Sequence, residues 1–159
     1  MAVSYNGEML AIYARDRRIR IFNIKTGKLL HKIDEQTSIY VDYQLTKGTG
    51  AVAKADMLYL EKLDFERRMA VEKDIEKQWD FLKSLPKSKK GQEPVDNPEP
   101  QPFCILPSIG FDESDSFVYF GTPVGIKVYS ITSGDFIRVI GKVESTERFL
   151  QIGLYQGKP

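Results

Sequence analysis

The chain has 159 residues, 42% of them hydrophobic and 28% charged, the balance of a globular domain rather than a disordered one. Its formal net charge of +1 supplies no field that would gather nucleic acid or an anionic membrane. One cysteine, Cys104, and one histidine, His31, exclude an internal disulfide and a four-ligand structural zinc site. No apolar run is long enough to cross a bilayer, and Met1 to Arg20 has no signal-type apolar core, so a soluble intracellular protein is expected.

In chain order, Asn6-Gly7 is a turn signal, and Met9 to Ala14 is a short apolar run broken by Asp16-Arg17. Ile19-Arg20-Ile21-Phe22-Asn23 alternates with period two, the pattern of a half-buried strand. A second turn at Lys25 to Lys28 leads to a third strand over Leu29 to Ile33. Ser38 to Tyr43 is ambiguous: its β-branched and aromatic residues favour a strand, but an insertion begins there.

Glu61 to Asp80 carries seven acidic and five basic side chains in twenty positions. Val71, Ile75, Trp79 and Leu82 recur at spacings of four, four and three, which predicts one helical face, with Phe65 and Met69 starting a neighbouring stripe. No Gly or Pro interrupts Ala51 to Leu85, and a helix is expected at about 55–84. Lys83 to Pro102 then holds five of the eight prolines among polar residues, the composition of an extended linker.

From Cys104 to Lys142 the first plan returns. Laying Thr26-Gly27 on Ser133-Gly134 places Ile19 on Ile126, Arg20 on Lys127, Ile21 on Val128, Phe22 on Tyr129, Leu29 on Phe136 and Ile33 on Ile140. An internal repeat of short antiparallel strands predicts two like units, and Phe149 to Tyr155 reads as one further strand.

The run Asp16-x-x-Ile19-Arg20-Ile21-Phe22-Asn23 followed by Thr26-Gly27-Lys28 resembles the end of a WD repeat, and Gly125 to Ser130 resembles a worn copy. Phe22 and Tyr129 stand where that pattern has Trp, and Asn23 and Ser130 where it has Asp. Taken with Phe65 to Lys77 and the stretch from Gly121 to Gly157, the chain resembles the propeller of the cyclophilin-type peptidyl-prolyl isomerases that carry WD repeats. The resemblance implies an all-β propeller fragment, two blades plus one strand, with a helical insertion. It divides the chain into a first blade at 1–36, an insertion at 37–102 with its proline-rich linker at 85–102, a second blade at 103–142 and the start of a third at 143–159. It also implies a nuclear, spliceosome-associated parent, with this chain a protein-interaction scaffold and not itself an enzyme, the cyclophilin portion being absent. An RNA-contacting module and a generic signalling scaffold are the alternatives, and self-association through exposed blade faces is expected.

No residue is assigned a catalytic, cofactor or metal role. His31 lacks an acid–base partner and reads as a strand residue. Cys104, in Phe103-Cys104-Ile105-Leu106, reads as buried strand core rather than a nucleophile. Trp79 and Phe81 are either partner anchors or cover for the β units, and the second reading is preferred. Arg15, Arg17, Arg18 and Arg20 read as a solvated edge in preference to phosphate contacts, and the helix carboxylates as a solvated face. Lys87 to Lys90 is a loop tip or a nuclear-targeting run.

Overall fold

The structure is a computed structural model that describes residues 1–46, 53–84, 108–144 and 147–157. Its first unit is a four-stranded antiparallel sheet in chain order, β1 (Ala2–Val3), β2 (Met9–Tyr13), β3 (Arg18–Asn23) and β4 (Leu29–Asp34). Alternation in β3 buries Ile19 and Ile21 completely while Arg20 stays partly solvated. The turns follow from local chemistry. Gly27 takes a φ of 68°, and the Asn23 side chain accepts the Thr26 N–H at 2.9 Å. Arg17 takes a left-handed φ of 56°, with the Asp16 carboxylate accepting the next N–H, that of Arg18, at 3.1 Å.

The second unit repeats this plan with β5 (Ile109–Phe111), β6 (Phe117–Thr122), β7 (Gly125–Ser130) and β8 (Asp135–Ile140). Even the irregularity is copied: the β3–β4 ladder shifts register between Ile21 and Phe22, the β7–β8 ladder between Val128 and Tyr129. Those residues correspond in the internal repeat. The opening loops match too, with Ser4 Oγ accepting the Met9 N–H at 2.8 Å and Asp112 Oδ1 the Phe117 N–H at the same distance. Each unit therefore holds four strands, one more than the meander read from Val3 to Asp34.

The two sheets stack over one core of Ala11, Tyr13, Ile19 and Ile21 from the first and Phe111, Val118, Phe120 and Tyr129 from the second. The Tyr13 and Phe120 rings meet edge-on at 6.4 Å. A second core joins Tyr40, Leu58, Leu60 and Met69 to Val124. It exists because three helices intervene between the sheets: α1 (Thr37–Thr46), α2 (Ala53–Leu58) and α3 (Lys62–Ser84).

These facts correct the expected fold class. Helices and strands take up nearly equal lengths of the described chain, so it is not all-β. The two sheets do not close into a propeller, and the third-blade strand is missing. Phe149 to Tyr155 forms no ladder. Among the described residues its backbone bonds Ser108, just before β5, whose N–H donates to Leu150 O and whose hydroxyl accepts from Ile152 N–H.

Tertiary contacts also override the strand-like composition of Ser38 to Tyr43. Asp34 accepts the Gln36 N–H at 3.1 Å at the start of α1, and Tyr40 is buried one turn later. The single expected helix breaks at Tyr59 to Glu61, where Leu60 turns inward and its N–H and C=O both bond the Gln44 side chain. The predicted stripes of α3 are only partly the buried ones: Met69 and Trp79 are buried as expected, but Val71 is 45% exposed, and Arg68 and Glu72 are buried instead. Cys104, Lys87 to Lys90 and the 85–102 linker lie outside the described residues.

Candidate functional site

The inward face of α3 carries two charged side chains, and the site is built around them. Glu72, 1% exposed, is held from both sides. Arg17 Nη2 donates to its Oε2 at 2.7 Å, and Arg148 Nε donates to its Oε1 at 2.7 Å. The left-handed turn at Arg17 aims that guanidinium at the helix, where it also lies 2.9 Å from Glu76 and 5.4 Å over the Trp79 ring. One turn earlier, Arg68 donates to the backbone carbonyls of Pro123 and Lys142 at 3.2 and 2.8 Å. The helix is thereby fixed to the first sheet through Arg17, to the second through Arg68, and to the C-terminal segment through Arg148.

A second buried ion pair joins the sheets directly. Lys127 Nζ on β7 donates to both Glu35 oxygens at 2.9 and 3.0 Å, and both side chains are almost wholly enclosed. The Tyr40 hydroxyl donates to the same carboxylate, and the ammonium sits 4.8 Å from the Tyr40 ring and 5.1 Å from that of Phe136. Burial, with the Glu35 charge beside it, pushes the Tyr40 phenol well above its ordinary range. Tyr13 is raised the same way, chiefly by burial.

Between α3, Pro123 and Glu147-Arg148 lies a groove of about 200 Å³, lined by Arg67, Arg68, Val71, Glu72, Pro123, Glu147 and Arg148. It sets guanidinium donors beside a small apolar surface, so it can seat a peptide carbonyl or carboxylate. Among the described residues no cluster of His, Cys, Asp or Glu is placed to hold a metal ion. His31 lies on β4 with its Nδ1 3.2 Å from the Tyr129 hydroxyl. Trp79 is 6% exposed, with the Arg17 guanidinium over its ring.

Sequence reasoning missed the central residues. Arg17 and Glu72 were read as solvated, and both are buried partners. Lys127 and Arg20 occupy equivalent positions, yet Arg20 pairs at the surface with Asp16 and Lys127 pairs inside with Glu35. Nothing local distinguishes them. The available signal was a charged residue at an alternating strand position facing a core.

No known protein-family profile matches the chain. Individual proteins do. The peptidyl-prolyl cis-trans isomerase CYP71 of Arabidopsis thaliana is 38% identical over 155 residues, 98% of this chain and 20% of that protein. The human peptidylprolyl isomerase domain and WD repeat-containing protein 1 is 32% identical over 154 residues, 97% of this chain and 19% of that protein. Peptidyl-prolyl cis-trans isomerase 9 of Schizosaccharomyces pombe is 29% identical over 147 residues. The chain thus spans about a fifth of the length of the curated relatives it matches.

These matches correct three expectations. The chain was read as a WD-repeat fragment that has no share in isomerase chemistry, as an interaction scaffold, and as no enzyme. Instead, 91 to 98% of it aligns with proteins named mainly for peptidyl-prolyl cis-trans isomerisation, so the similarity to isomerases runs along nearly the whole chain.

Proposed function

We propose that this chain is a working portion of a peptidyl-prolyl cis-trans isomerase, a protein that speeds rotation about Xaa-Pro bonds. The observation that carries this is the 38% identity over 98% of the chain to a protein of that name. Rotation about this bond is limited by amide conjugation, with a barrier of about 18–20 kcal/mol. No bond is broken and no proton need be transferred. The reaction calls for a rigid frame, a donor that draws charge from the prolyl amide, and apolar surface for the ring. The two buried ion pairs and the paired cores supply rigidity.

The test is a protease-coupled isomerisation assay on a short Xaa-Pro peptide, using the longest protein the gene encodes around these residues. An accelerated slow phase supports the reading, and a slow phase at the uncatalysed rate overturns it. We also propose protein partners and a nuclear location, the latter from the Lys87 to Lys90 run. Nuclear accumulation of a fluorescent fusion that is lost on changing those lysines to alanine supports the location, and cytoplasmic retention of the unchanged fusion refutes it.

A further inference from the structure

The N-terminus of α1 opens onto a cavity of about 320 Å³ whose lining residues all fall between Arg15 and Asp80. It shares no residue with the groove beside Arg148. The turn between β2 and β3 contributes Arg15 and Asp16, α1 contributes Thr37 and Ser38, and α3 contributes Glu76, Trp79 and Asp80. What these groups have left to offer a ligand is mainly hydrogen-bond donation.

The first backbone N–H groups of an α-helix have no partner within the helix. Here those of Thr37 and Ser38 take no acceptor among the described residues, and no acidic side chain stands in the first turn to meet the positive end of the helix dipole. Ser38 is exposed, so its hydroxyl is available beside them. Arg15 is exposed too, and its guanidinium has no ionic partner among the described residues. The wall formed by α3 adds a donor that is independent of the α1 terminus. Trp79 is 6% exposed, and its indole Nε1–H is buried without an acceptor. Buried donors are nearly always satisfied, and an acceptor-rich ligand in the cavity that Trp79 lines would account for this exception.

We propose that this cavity is a binding site for a phosphate group, held by the N-terminus of α1, Arg15 and Trp79. A phosphate monoester presents three strong acceptor oxygens, enough to take the helix N–H groups, the Arg15 fork and the indole N–H together, whereas a carboxylate presents two. The acidic neighbours do not forbid it. Asp16 accepts from Arg20 through both oxygens, and Glu76 Oε1 lies 2.9 Å from Arg17 Nε and 3.4 Å from the Thr37 hydroxyl. Asp80 is exposed, where water and salt screen it. The cavity has room for a short carbon arm beside the phosphate, so the free ion and a phosphoserine side chain are the two sources of this chemistry. The site is independent of the isomerase reading.

Calorimetric titration of the longest protein the gene encodes around these residues is the test. The probes are inorganic phosphate, a short phosphoserine peptide and the same peptide without its phosphate. The expected result is saturable binding of the phosphorylated peptide and none of its unmodified twin. Inorganic phosphate binding as tightly as the peptide makes the free ion the ligand, and weaker binding makes it the ester. Arg15→Ala, at an exposed side chain, weakens binding about tenfold, the worth of one hydrogen bond to a charged group. Thr37→Pro removes an N–H at the first helical position, where proline is tolerated, and weakens binding as well. Trp79→Phe keeps an aromatic ring and deletes the donor, so it weakens binding without lowering the urea midpoint. Each variant is first shown by circular dichroism to unfold cooperatively. In the 159-residue chain Trp79 is the only tryptophan, and its emission shifts as phosphate binds. Equal binding of the unmodified peptide overturns the proposal, as does binding of neither phosphate probe or an affinity unmoved by all three substitutions.

Discussion

Glu72 ties α3 to the first unit and to the C-terminal segment, and a carboxylate with 1% exposure is tolerable only while Arg17 and Arg148 hold it. Replacing it with alanine strands the buried Arg17 guanidinium. Breaking a buried pair from one side costs about 3–5 kcal/mol. Glu72→Ala is therefore expected to lower the urea midpoint by that equivalent, and Arg148→Ala by clearly less, since Arg148 retains solvent contact. Equal small losses would show that the pair contributes little. The buried phenols set the alkaline limit. Burial holds Tyr13 and Tyr40 above their unfolded values, so each contributes stability that is fully present below about pH 10 and is lost as the pH rises beyond it. Denaturant midpoints should be level from neutral pH upward and fall steeply in the alkaline range. Tyr13→Phe should lessen that fall, and an unchanged profile in the variant would remove Tyr13 from the account.

At the scale of elements, strands and turns were legible in the sequence, whereas helix orientation was not. Ile19 to Asn23 and Ile126 to Ser130 announce themselves by alternation, and Gly27 and Gly134 mark turns that need positive φ, at 68° and 70°. Helix α3 misleads, since its apolar stripe through Val71 suggests one face while the buried face includes Arg68 and Glu72. A charged pair that is satisfied across 55 residues leaves no periodic trace in a hydropathy pattern. For α1 the cause differs: β-branched residues there are overruled by the buried Tyr40 and its bond to Glu35. Two truncations measure the true facing of α3. Met69→Ala should cost about 2–5 kcal/mol in unfolding free energy, while Val71→Ala should stay within about 0.5 kcal/mol. The reverse order would restore the face expected from the spacing.

At the scale of the whole molecule, the internal repeat was legible and its consequence was only partly so. Repetition predicts two like sheets. It does not say that three helices bridge them, nor that Glu35 and Lys127 join them by a buried ion pair. The candidate site was hidden for the same reason, since it is assembled from Arg17, Glu72 and Arg148, residues far apart in sequence and unremarkable singly. The resemblance was legible through the Phe65 to Lys77 helix and its flanking units, which point to relatives named as proline isomerases. The inference that the chain stands apart from isomerase function did not survive comparison along its whole length.

The proposal that these residues serve a prolyl isomerase is tested most directly by magnetisation-transfer NMR, which reads cis–trans exchange at one Xaa-Pro bond without a coupling enzyme. Uncatalysed exchange takes tens to hundreds of seconds at room temperature. With substoichiometric full-length protein the account predicts exchange at least about tenfold faster, against that uncatalysed time. Exchange unchanged by that protein would contradict it.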